Sequence, residues 1–309
     1  MRTSLVGYTG FVGSNLNESF EFTERFNSKN IMEAYGTEPD LLVYAGIPAE
    51  KFIANKEPQK DFALIKNAVE TIKKINAKRM VLISTVDVYK NPNKVDECSE
   101  IDTNELLPYG LNRYYLEQKV RELYSDALIV RLPGLYGKNI KKNFIYDYMH
   151  VIPSMLEEKK FVELSQGTTL LKKFYELQDN GFYKCIVSTE EDKYILKDFF
   201  KNRGFSSLNF TDSRCAFQFY PLSRLWDDIE CALKNDVRLL NLATEPVKIY
   251  ELYYSLTGEV FCNHLSKDIP NYDFRTIHAE LYAGARGYIY DKQYIINSIC
   301  EFIKKEQSL

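Results

Sequence analysis

Tyr109 and Arg113 stand four residues apart in a 309-residue chain, within a segment that is predicted to be helical. Residues at i and i+4 share one helical face, so the guanidinium is expected beside the phenol. A tyrosine phenol has a pKa of about 10 and needs a nearby cation to act as a base near neutral pH. Ser84 and Thr85 end the preceding strand pattern. Because α/β folds bind ligands beyond the carboxyl ends of strands, the Thr85 hydroxyl is expected to meet the Tyr109 phenol there.

A second candidate site lies near the N-terminus, where the apolar pair Leu5–Val6 runs into Gly7, Gly10 and Gly13. A helix is predicted across these glycines, over residues 11–20. Glycines permit a tight turn and a close approach of backbone to phosphate, and the N–H groups at a helix N-terminus bind anions. The spacing is G-x-x-G-x-x-G rather than the more familiar G-x-G-x-x-G. The stretch predicts a site for the pyrophosphate of a dinucleotide, and a strand–helix turn without a ligand is the alternative.

The end of the next predicted strand, residues 21–26, bears on the choice of dinucleotide. In a dinucleotide-binding unit the residue that contacts the adenosine ribose lies there, roughly 20 residues past the first glycine. Asn27, Ser28 and Lys29 follow this strand, and none of them is a carboxylate. The usual acceptor for the 2′-hydroxyl of NAD is therefore missing, whereas Lys29 could meet a 2′-phosphate. The residues after this strand therefore favour NADP slightly over NAD, although Lys29 is also readily interpreted as a solvent-exposed lysine of the loop.

Strands and helices alternate through the first half of the chain. The predicted strands are residues 4–6, 21–26, 40–45, 79–84 and 127–132, and the predicted helices are residues 11–20, 59–76 and 105–126. Most of these strands are near-continuous apolar runs, which is typical of a parallel sheet that is covered by helices on both faces. We therefore predict an α/β fold whose dinucleotide-binding domain comprises residues 1–138, with strands around 214–246 returning to its sheet.

The pattern loosens beyond Gly137. We predict a helix over 142–158, a strand at 183–188, a helix at 191–204 and a strand at 207–210. Further strands are predicted at 216–220 and 239–243 on either side of a helix, and a last helix at 291–305. Residues 139–213 and 247–309 are interpreted as a substrate-binding lobe. A possible insertion around 165–212 would serve as a lid, a specificity element or a subunit contact.

Composition excludes several classes of function. The formal net charge of −3 gives no electrostatic reason to expect a nucleic-acid partner. The six cysteines form no C-x-x-C pair and the three histidines form no i,i+4 pair, so neither a metal site nor a disulfide framework is predicted. No stretch has the pattern of a signal peptide or the length of a membrane span, and a cytoplasmic location is expected.

The order of these features resembles the extended short-chain dehydrogenase/reductase family, the sugar-nucleotide epimerases, dehydratases and reductases. The matching stretches are GYTGFVG, VYAG, Asn67 in the next helix, ISTVDVY, PYGLNRYYLE and RLPGLYG, which span residues 7–137. FQFYPLSRLWDDIECAL and LLNLATEP resemble later family segments more weakly. The resemblance implies a Rossmann-type doubly wound parallel sheet with a smaller C-terminal α/β substrate lobe. It also implies a homodimer.

The resemblance further implies a bound NAD or NADP and hydride transfer at a carbon of a nucleotide-diphosphate sugar. Tyr109 would be the general acid/base, Thr85 would hydrogen-bond the reacting oxygen, and Arg113 would hold the cofactor. The implied cofactor site comprises Gly7, Thr9, Gly10, Phe11, Val12, Gly13, Asn27, Ala45, Gly46, Asn67, Ser84 and Pro133. Expected substrate contacts are Lys142, Asn143 and Arg214, with Lys141, Arg224 and Arg275 as further candidates for the diphosphate. The histidines His150, His264 and His278 are expected to be non-catalytic.

One position departs from the family pattern Y-x-x-x-K, because Arg113 stands where the lysine is expected. Arginine supplies a permanent charge and several donors but does not release its proton at any workable pH. Cofactor binding and activation of the tyrosine are still expected, whereas a proton relay through the Arg113 side chain is not expected. Tyr115 and Lys119 also match the pattern, but they lie about 120° around the helix from Tyr109. They also lack the preceding Pro-Tyr-Gly context.

Three functions remain open at this point. The first is an NAD(P)-dependent epimerase or reductase that acts on a nucleotide-diphosphate sugar. The second is a catalytically weak or inactive cofactor-binding protein that acts as a sensor or assembly partner, and the third is a nucleotide-sugar binder without a nicotinamide. A dehydratase is disfavoured because Thr85 is followed by Val86 and Asp87 rather than by Asp-Glu, and Asp87 has no predicted role.

Overall fold

The computed structural model describes residues 1–265 and 267–308. The strands are β1 (Thr3–Val6), β2 (Glu24–Phe26), β3 (Leu41–Tyr44), β4 (Met80–Thr85), β5 (Leu128–Leu132), β6 (Gly134–Tyr136), β7 (Met155–Glu157), β8 (Tyr175–Leu177), β9 (Phe182–Cys185), β10 (Ala216–Phe217), β11 (Phe219–Pro221), β12 (Leu239–Asn241) and β13 (Val247–Lys248). The helices are α1 (Phe11–Ser19), α2 (Lys51–Lys56), α3 (Pro58–Ile75), α4 (Pro108–Leu123), α5 (Phe144–His150), α6 (Glu158–Leu164), α7 (Leu170–Phe174), α8 (Glu190–Asn202), α9 (Leu225–Lys234), α10 (Ile249–Thr257) and α11 (Lys292–Gln307).

The central sheet has six parallel strands in the order β12-β5-β4-β3-β1-β2. Its register pairs Val6 with Tyr44 and Tyr44 with Leu82, so the loops after β1, β3 and β4 leave from the same edge. From β1 the chain moves to β2 on one side and then returns to the other side as β3. The switch point, where open α/β sheets bind ligands, therefore lies between β1 and β3. The predicted α/β fold with a parallel sheet is confirmed.

Helices cover both faces of this sheet. Leu5 packs with the buried residues beneath α1 and α9, whereas the next residue, Val6, packs with those beneath α3 and α4. The same alternation holds for Val81 and Leu82 in β4. Because both faces of the sheet are buried, each central strand is apolar at nearly every position, and the sequence pattern therefore predicted these strands.

Local signals set the limits of the two helices nearest the candidate site. Helix α3 begins with Pro58 at its first turn and ends at Ile75, followed by the C-cap Asn76, whose φ of +55° lies in the left-handed region. Helix α4 was predicted from residue 105 but begins at Pro108. Proline fits the first helical turn because its missing N–H has no acceptor there, and it disfavours helix at the residue before it.

The chain divides into two units. The first comprises residues 1–140, 216–247 and 270–302, and the second comprises the described residues of 141–215, 248–269 and 303–309. The boundaries predicted from the sequence differ, since they assigned all of 247–309 to the second lobe. Residues 270–302 lie in the first unit because Phe274 and Tyr288 pack with Val86 and Val88, and Ile289 packs with the core beneath α1.

The second unit contains an antiparallel sheet in the order β7-β9-β8. Its core is built by residues of this sheet and of α6, α7 and α8, namely Leu156, Phe161, Leu164, Leu171, Tyr175, Leu196 and Phe200. The helix predicted over 142–158 was too long, because α5 ends at His150 and 155–157 form β7.

Two predicted strands differ in the structure. Residues 207–210 form a 3-10 turn rather than a strand, because the Ser206 hydroxyl accepts the Leu208 N–H at 3.3 Å and caps the turn. The strand predicted at 216–220 is interrupted at Gln218, and its second part, β11, pairs with β6. Strand β12 does return to the main sheet, beside β5.

Candidate active site

The start of α4 packs directly on the 3-10 turn Val86–Val88 that follows β4, and a glycine makes this possible. A Cβ at Gly110 would lie 2.0 Å from the carbonyl oxygen of Asp87. The preceding residue, Tyr109, is 7% exposed, and the Thr85 hydroxyl lies close enough to its phenol to act toward a lower pKa of that group. The Thr85 hydroxyl also accepts the Asp87 N–H at 3.1 Å. The structure thus brings together the two hydroxyls that the sequence predicted to converge.

Arg113 lies beside Tyr109, as their spacing predicted. Its Cζ is 4.0 Å from the centroid of the Tyr109 ring, and its side chain is 5% exposed. One terminal nitrogen, Nη1, donates to the carboxylate of Asp61, and the other, Nη2, donates to the carbonyl oxygen of Pro48 at 2.8 Å. Asp61 also accepts the side-chain amide of Asn112 at 2.7 Å. The guanidinium is therefore a partner in a buried ion pair.

Asp61 was missed from the sequence, although a signal was present. It occupies the apolar face of α3, four residues before Ile65 and seven before Ala68, and all three are buried. A carboxylate on such a face is rarely left unpaired. Searching for its cation among neighbouring helices would have singled out Arg113.

Helix α2 contributes two further side chains that the sequence analysis did not single out. The Nζ of Lys51 lies 2.7 Å from Oδ1 of Asp87. Burial acts to lower the pKa of Lys51, but the Asp87 carboxylate outweighs it, so that the pKa is raised. The side-chain oxygen of Asn55 accepts the Tyr109 N–H at 2.9 Å and so satisfies a donor at the beginning of α4. Helix α2 thereby contacts both α4, which carries Tyr109, and the turn that follows Thr85.

The surroundings favour a neutral Tyr109. Burial raises the pKa of its phenol, and the negative charge of Asp87 raises it further. Arg113, Lys51 and the nearby Thr85 hydroxyl act in the opposite direction but do not outweigh burial, so that the pKa of Tyr109 lies above its ordinary value. The phenol therefore holds its proton at neutral pH.

The three glycines of the N-terminal loop differ in what surrounds them. Gly7 has a φ of +92°, and a Cβ there would lie 2.4 Å from the carbonyl oxygen of Ala45. A Cβ at Gly13 would lie 2.1 Å from the carbonyl oxygen of Gly7. Gly10 is exposed, and its Cβ would meet only the Gly7 oxygen, at 3.3 Å. Gly7 and Gly13 thus permit a backbone packing that leaves no room for a Cβ, whereas a Cβ at Gly10 would make one tight contact.

This loop fits the pyrophosphate of a dinucleotide. Gly10 is the N-cap of α1 and provides no side-chain acceptor, so the first N–H groups of the helix point outward without an intrahelical partner. Their partial positive charge and the exposure of Gly10 suit an anion. Thr9 is exposed, and Phe11 and Val12 form the first half-buried turn of α1. Residues Ala45 and Gly46 follow the adjacent strand β3.

The loop after β2 is closed by its own side chains. The Asn27 side-chain oxygen accepts the Lys29 N–H at 2.9 Å, and the Asn27 N–H donates to the side chain of Asn30 at 2.8 Å. Lys29 is exposed. Pro133, the remaining candidate at a strand end, directly follows β5 and is half-buried.

Two candidates for cofactor contact point elsewhere. The hydroxyl of Ser84 donates to Oε1 of Glu117 at 2.6 Å, inside the layer between β4 and α4. Glu117 is also paired with Arg131, whose Nη2 lies 2.6 Å from Oε2, and both side chains are fully buried. Asn67 lies on the exposed face of α3, six residues past Asp61, and is not brought to the hydroxyl pair.

The alternative pair on α4 has a different environment. Lys119 lies 2.6 Å from Glu122, and its side chain is partly exposed. Tyr115 makes an edge contact with the ring of Phe62, with centroids 5.1 Å apart. These residues do not meet Thr85 as Tyr109 does.

The candidate substrate residues Lys142, Asn143 and Arg214 belong to the second unit. The Asn143 side-chain oxygen caps α5 by accepting the Ile145 N–H at 3.0 Å. Arg214 makes a two-point contact with the buried Asp212, with Nη2 at 2.7 Å and Nε at 3.0 Å. Lys142 is exposed.

The further diphosphate candidates Arg224 and Arg275 belong to the first unit and have carboxylate partners there, Asp227 at 3.0 Å and Asp273 at 2.9 Å. Lys141 is exposed in the second unit. Across residues 1–265 and 267–308, no group of three potential metal ligands comes together, and no helix is long and apolar enough to cross a membrane.

Comparison with known proteins gives one family. Residues 19–171 match the model of the NAD dependent epimerase/dehydratase family. A UDP-glucose 4-epimerase of Pisum sativum is 29% identical over 125 residues, which cover 36% of this chain and 34% of that relative. A bifunctional UDP-glucose 4-epimerase and UDP-xylose 4-epimerase of the same plant matches equally. The chain thus spans about a third of the length of these curated relatives.

Solved structures share the fold over nearly the whole chain. A dTDP-4-dehydrorhamnose reductase from Bacillus anthracis, in complex with NADP, superposes with a TM-score of 0.63 and 16% identity, covering 98% of each chain. A UDP-N-acetylglucosamine 4-epimerase from Methanobrevibacter ruminantium, in complex with UDP-N-acetylmuramic acid, has a TM-score of 0.63 and 13% identity, covering 99% of this chain and 98% of that one. At such identities the likeness concerns the fold. Residues 19–171, about half of the chain, are thus similar to the NAD dependent epimerase/dehydratase family.

Proposed function

We propose that this protein is an NAD(P)-dependent oxidoreductase or epimerase that transfers a hydride at a carbon of a nucleotide-diphosphate sugar. One observation carries the proposal: the hydroxyls of Thr85 and Tyr109 lie near each other at the edge of the parallel sheet from which the exposed glycine loop also leaves. Relatives and structural neighbours that are named for epimerisation or reduction of nucleotide sugars support the same class.

In this proposal the glycine loop and the N-terminus of α1 hold the dinucleotide pyrophosphate. Ala45 and Gly46 line the adjacent strand end, and Pro133 borders the nicotinamide. The dinucleotide, when bound, supplies or accepts the hydride with its two electrons. Thr85 hydrogen-bonds the reacting oxygen, and Tyr109 gives that oxygen a proton or takes one from it.

NADP is slightly favoured over NAD because the loop after β2 has no carboxylate among residues 27–30 to accept a 2′-hydroxyl. Lys142, Asn143 and Arg214 are proposed for the substrate, and a homodimer is proposed from the resemblance to the family.

The experiment combines the purified protein with each reduced and oxidised dinucleotide and a panel of nucleotide-diphosphate sugars and keto-sugars. Turnover is followed by the near-ultraviolet absorbance of the reduced nicotinamide and by NMR of the sugar. We expect conversion by the wild type, loss with Tyr109→Phe and a strong reduction with Thr85→Val. Conversion that persists in Tyr109→Phe would contradict the assigned acid/base, and a lack of binding of any dinucleotide would contradict the class.

The second candidate is a dinucleotide-binding sensor or assembly partner without turnover. It is favoured by the buried pairing of Arg113 with Asp61 and Pro48, which occupies donors that would otherwise face a ligand. Dinucleotide binding without conversion of any sugar in the panel would support this candidate.

A further inference from the structure

Helix α8 in the second unit carries an exposed stripe whose charge changes sign along its length. The stripe consists of Glu190, Tyr194, Lys197 and Lys201, which follow the spacing i, i+4, i+7 and i+11. This spacing places the four side chains on one helical face. All four residues are exposed, and Tyr194 is 73% accessible. The stripe therefore presents a carboxylate, an aromatic ring and two ammonium groups to solvent in that order.

Packing and capping hold this face of α8 toward solvent. Leu196 and Phe200, on another face of the helix, are buried in the core of the second unit. The Thr189 hydroxyl caps the first turn by accepting the Asp192 N–H at 3.1 Å. Because the helix is fixed at its start and along its buried face, the exposed stripe is a rigid surface.

The stripe is complementary to a second copy of itself. Glu190 and Lys201 lie equally far from a point just before Leu196. Tyr194 and Lys197 are also equally far from this point. In an isologous pair, each contact is repeated by the twofold axis. Two antiparallel copies of α8 around an axis at this point would therefore pair Glu190 with Lys201 of the partner subunit twice. The Tyr194 ring would lie beside the Lys197 ammonium of the partner subunit, which is a favourable cation–π arrangement.

The helix dipole explains only a part of this pattern. It favours carboxylates in the first turn of a helix and ammonium groups in the last turn. It gives no reason for the exposed ring of Tyr194 at the centre of the stripe. Within residues 1–265 and 267–308, Lys197 and Lys201 have no carboxylate at ion-pair distance. Their charges are thus available to a partner.

Two hollows beside the stripe give room for side chains of a second copy, and Tyr194 borders both of them. One has a volume of about 490 Å³ and is lined in part by Val151 and Phe205. The other has a volume of about 410 Å³ and is lined in part by Leu170 and Phe199. Apolar contacts can therefore extend beyond the stripe. Since α8 is only about 20 Å long, the interface belongs to the small class that forms reversibly.

We propose that α8 is a self-association surface through which two copies of this chain pair in antiparallel orientation. In this dimer Glu190 lies against Lys201 of the partner subunit, and the two Tyr194 rings fill the centre. Helix α8 lies in the segment 165–212, for which a subunit contact was one of the predicted roles. The inference deepens the proposed homodimer by naming a surface for it. It does not depend on the proposed chemistry, because none of these residues belongs to the candidate active site.

The test is charge reversal on each side of the pair, followed by sedimentation velocity through the micromolar to millimolar range. We expect the wild type to dimerise reversibly. Glu190→Lys and Lys201→Glu should each raise the dissociation constant roughly tenfold, because the twofold axis converts one reversal into two repulsive pairs. An equimolar mixture of the two variants restores both attractions and should dimerise nearly as tightly as the wild type.

Glu191→Lys is the matched control. It makes the same change at the neighbouring exposed position, about 100° around the helix from Glu190, and it opposes the helix dipole equally. Self-association of this variant should equal that of the wild type. The melting temperatures and the dinucleotide binding of the charge-reversal variants should match those of the control, which separates a lost interface from a lost fold.

Three results would overturn the inference: a wild type that is monomeric at every concentration, single variants that dimerise as tightly as the wild type, or a mixture that restores nothing. If the wild type is larger than a dimer, the single variants should lose one step of association. These results are independent of the proposed function. If association follows the expected pattern and no dinucleotide binds, the proposed function fails and the α8 interface stands.

Discussion

The buried pair of Arg131 and Glu117 supports the strand ends that carry the candidate site, and its removal should be costly. Arg131 on β5 donates through Nε to Oε1 of Glu117 at 3.0 Å and through Nη2 to Oε2 at 2.6 Å. Its Nη1 donates to the Tyr89 hydroxyl at 2.7 Å. The Ser84 hydroxyl donates to the same carboxylate. Both ionic side chains are at most 2% exposed.

Arg131→Met removes the cation and leaves the Glu117 carboxylate buried with only the hydroxyl of Ser84 among these partners. Breaking such a pair costs about 3–5 kcal/mol of unfolding free energy. For a protein of this size each kcal/mol corresponds to roughly 2–4 °C, so the melting temperature should fall by about 6–20 °C. The double variant Arg131→Met/Glu117→Leu removes both charges and should be more stable than Arg131→Met alone.

Calorimetry and urea unfolding at neutral pH measure these differences. Lys138→Met is the control. It also removes the cation of an ion pair, here with Glu18, but that pair is exposed, with side chains 61% and 57% accessible. Exposed pairs contribute about 0–1 kcal/mol. If Arg131→Met lost no more stability than Lys138→Met, or if the double variant were less stable than the single one, the reasoning about the buried pair would be refuted.

Three further predictions concern the loop, the second unit and Arg113. Gly13→Ala should lose both stability and dinucleotide binding, whereas Gly10→Ala should lose much less stability than Gly13→Ala and still lose binding, as measured by thermal unfolding and calorimetric titration. Burial raises the pKa of Asp147 to about 7. Between about pH 4 and pH 7 the folded protein therefore holds a proton that the unfolded chain has lost. Because of this group, stability rises as pH falls through that range. At about 1.4 kcal/mol per pKa unit, Asp147→Asn should therefore stabilise the protein by about 4 kcal/mol at pH 8 and by nothing measurable near pH 4 in urea unfolding. Arg113→Lys keeps the charge opposite Asp61 but cannot retain every donor, so it should still bind dinucleotide and lose about 1 kcal/mol of stability; a larger loss with no binding would contradict the interpretation of this ion pair.

The sequence predicted the main sheet because burial on both faces makes each strand apolar, a pattern that needs no knowledge of distant residues. The proximity of Tyr109 and Arg113 could also be predicted from the sequence, since helical spacing alone puts them on one face. Lys51 could not be predicted, because its partner Asp87 is 36 residues away and meets it only through the packing of α2 on the turn after β4. The position of Asp61 on the apolar face of α3 signals a buried carboxylate, but its partner Arg113 is 52 residues away and meets it only through the packing of α3 and α4.

Ser84 illustrates the same limit at a single strand end. Its neighbour Thr85 meets Tyr109, but Ser84 points to Glu117, and the sequence gives no indication that α4 places a carboxylate there. In contrast, the 3-10 turn at 207–210 was mistaken for a strand although Ser206 is a strong capping residue, so a local signal was available.

The central claim is that the glycine loop binds a nicotinamide dinucleotide for chemistry on a nucleotide sugar, and a thermal-shift titration tests it most directly. A ligand that binds only the folded protein adds about 2.7 kcal/mol of stability at a concentration of 100 Kd. The wild type should be stabilised by NADPH or NADH and further by a nucleotide-diphosphate sugar, and Gly10→Ala should lose the dinucleotide response. The absence of any shift with all four dinucleotides would contradict the account.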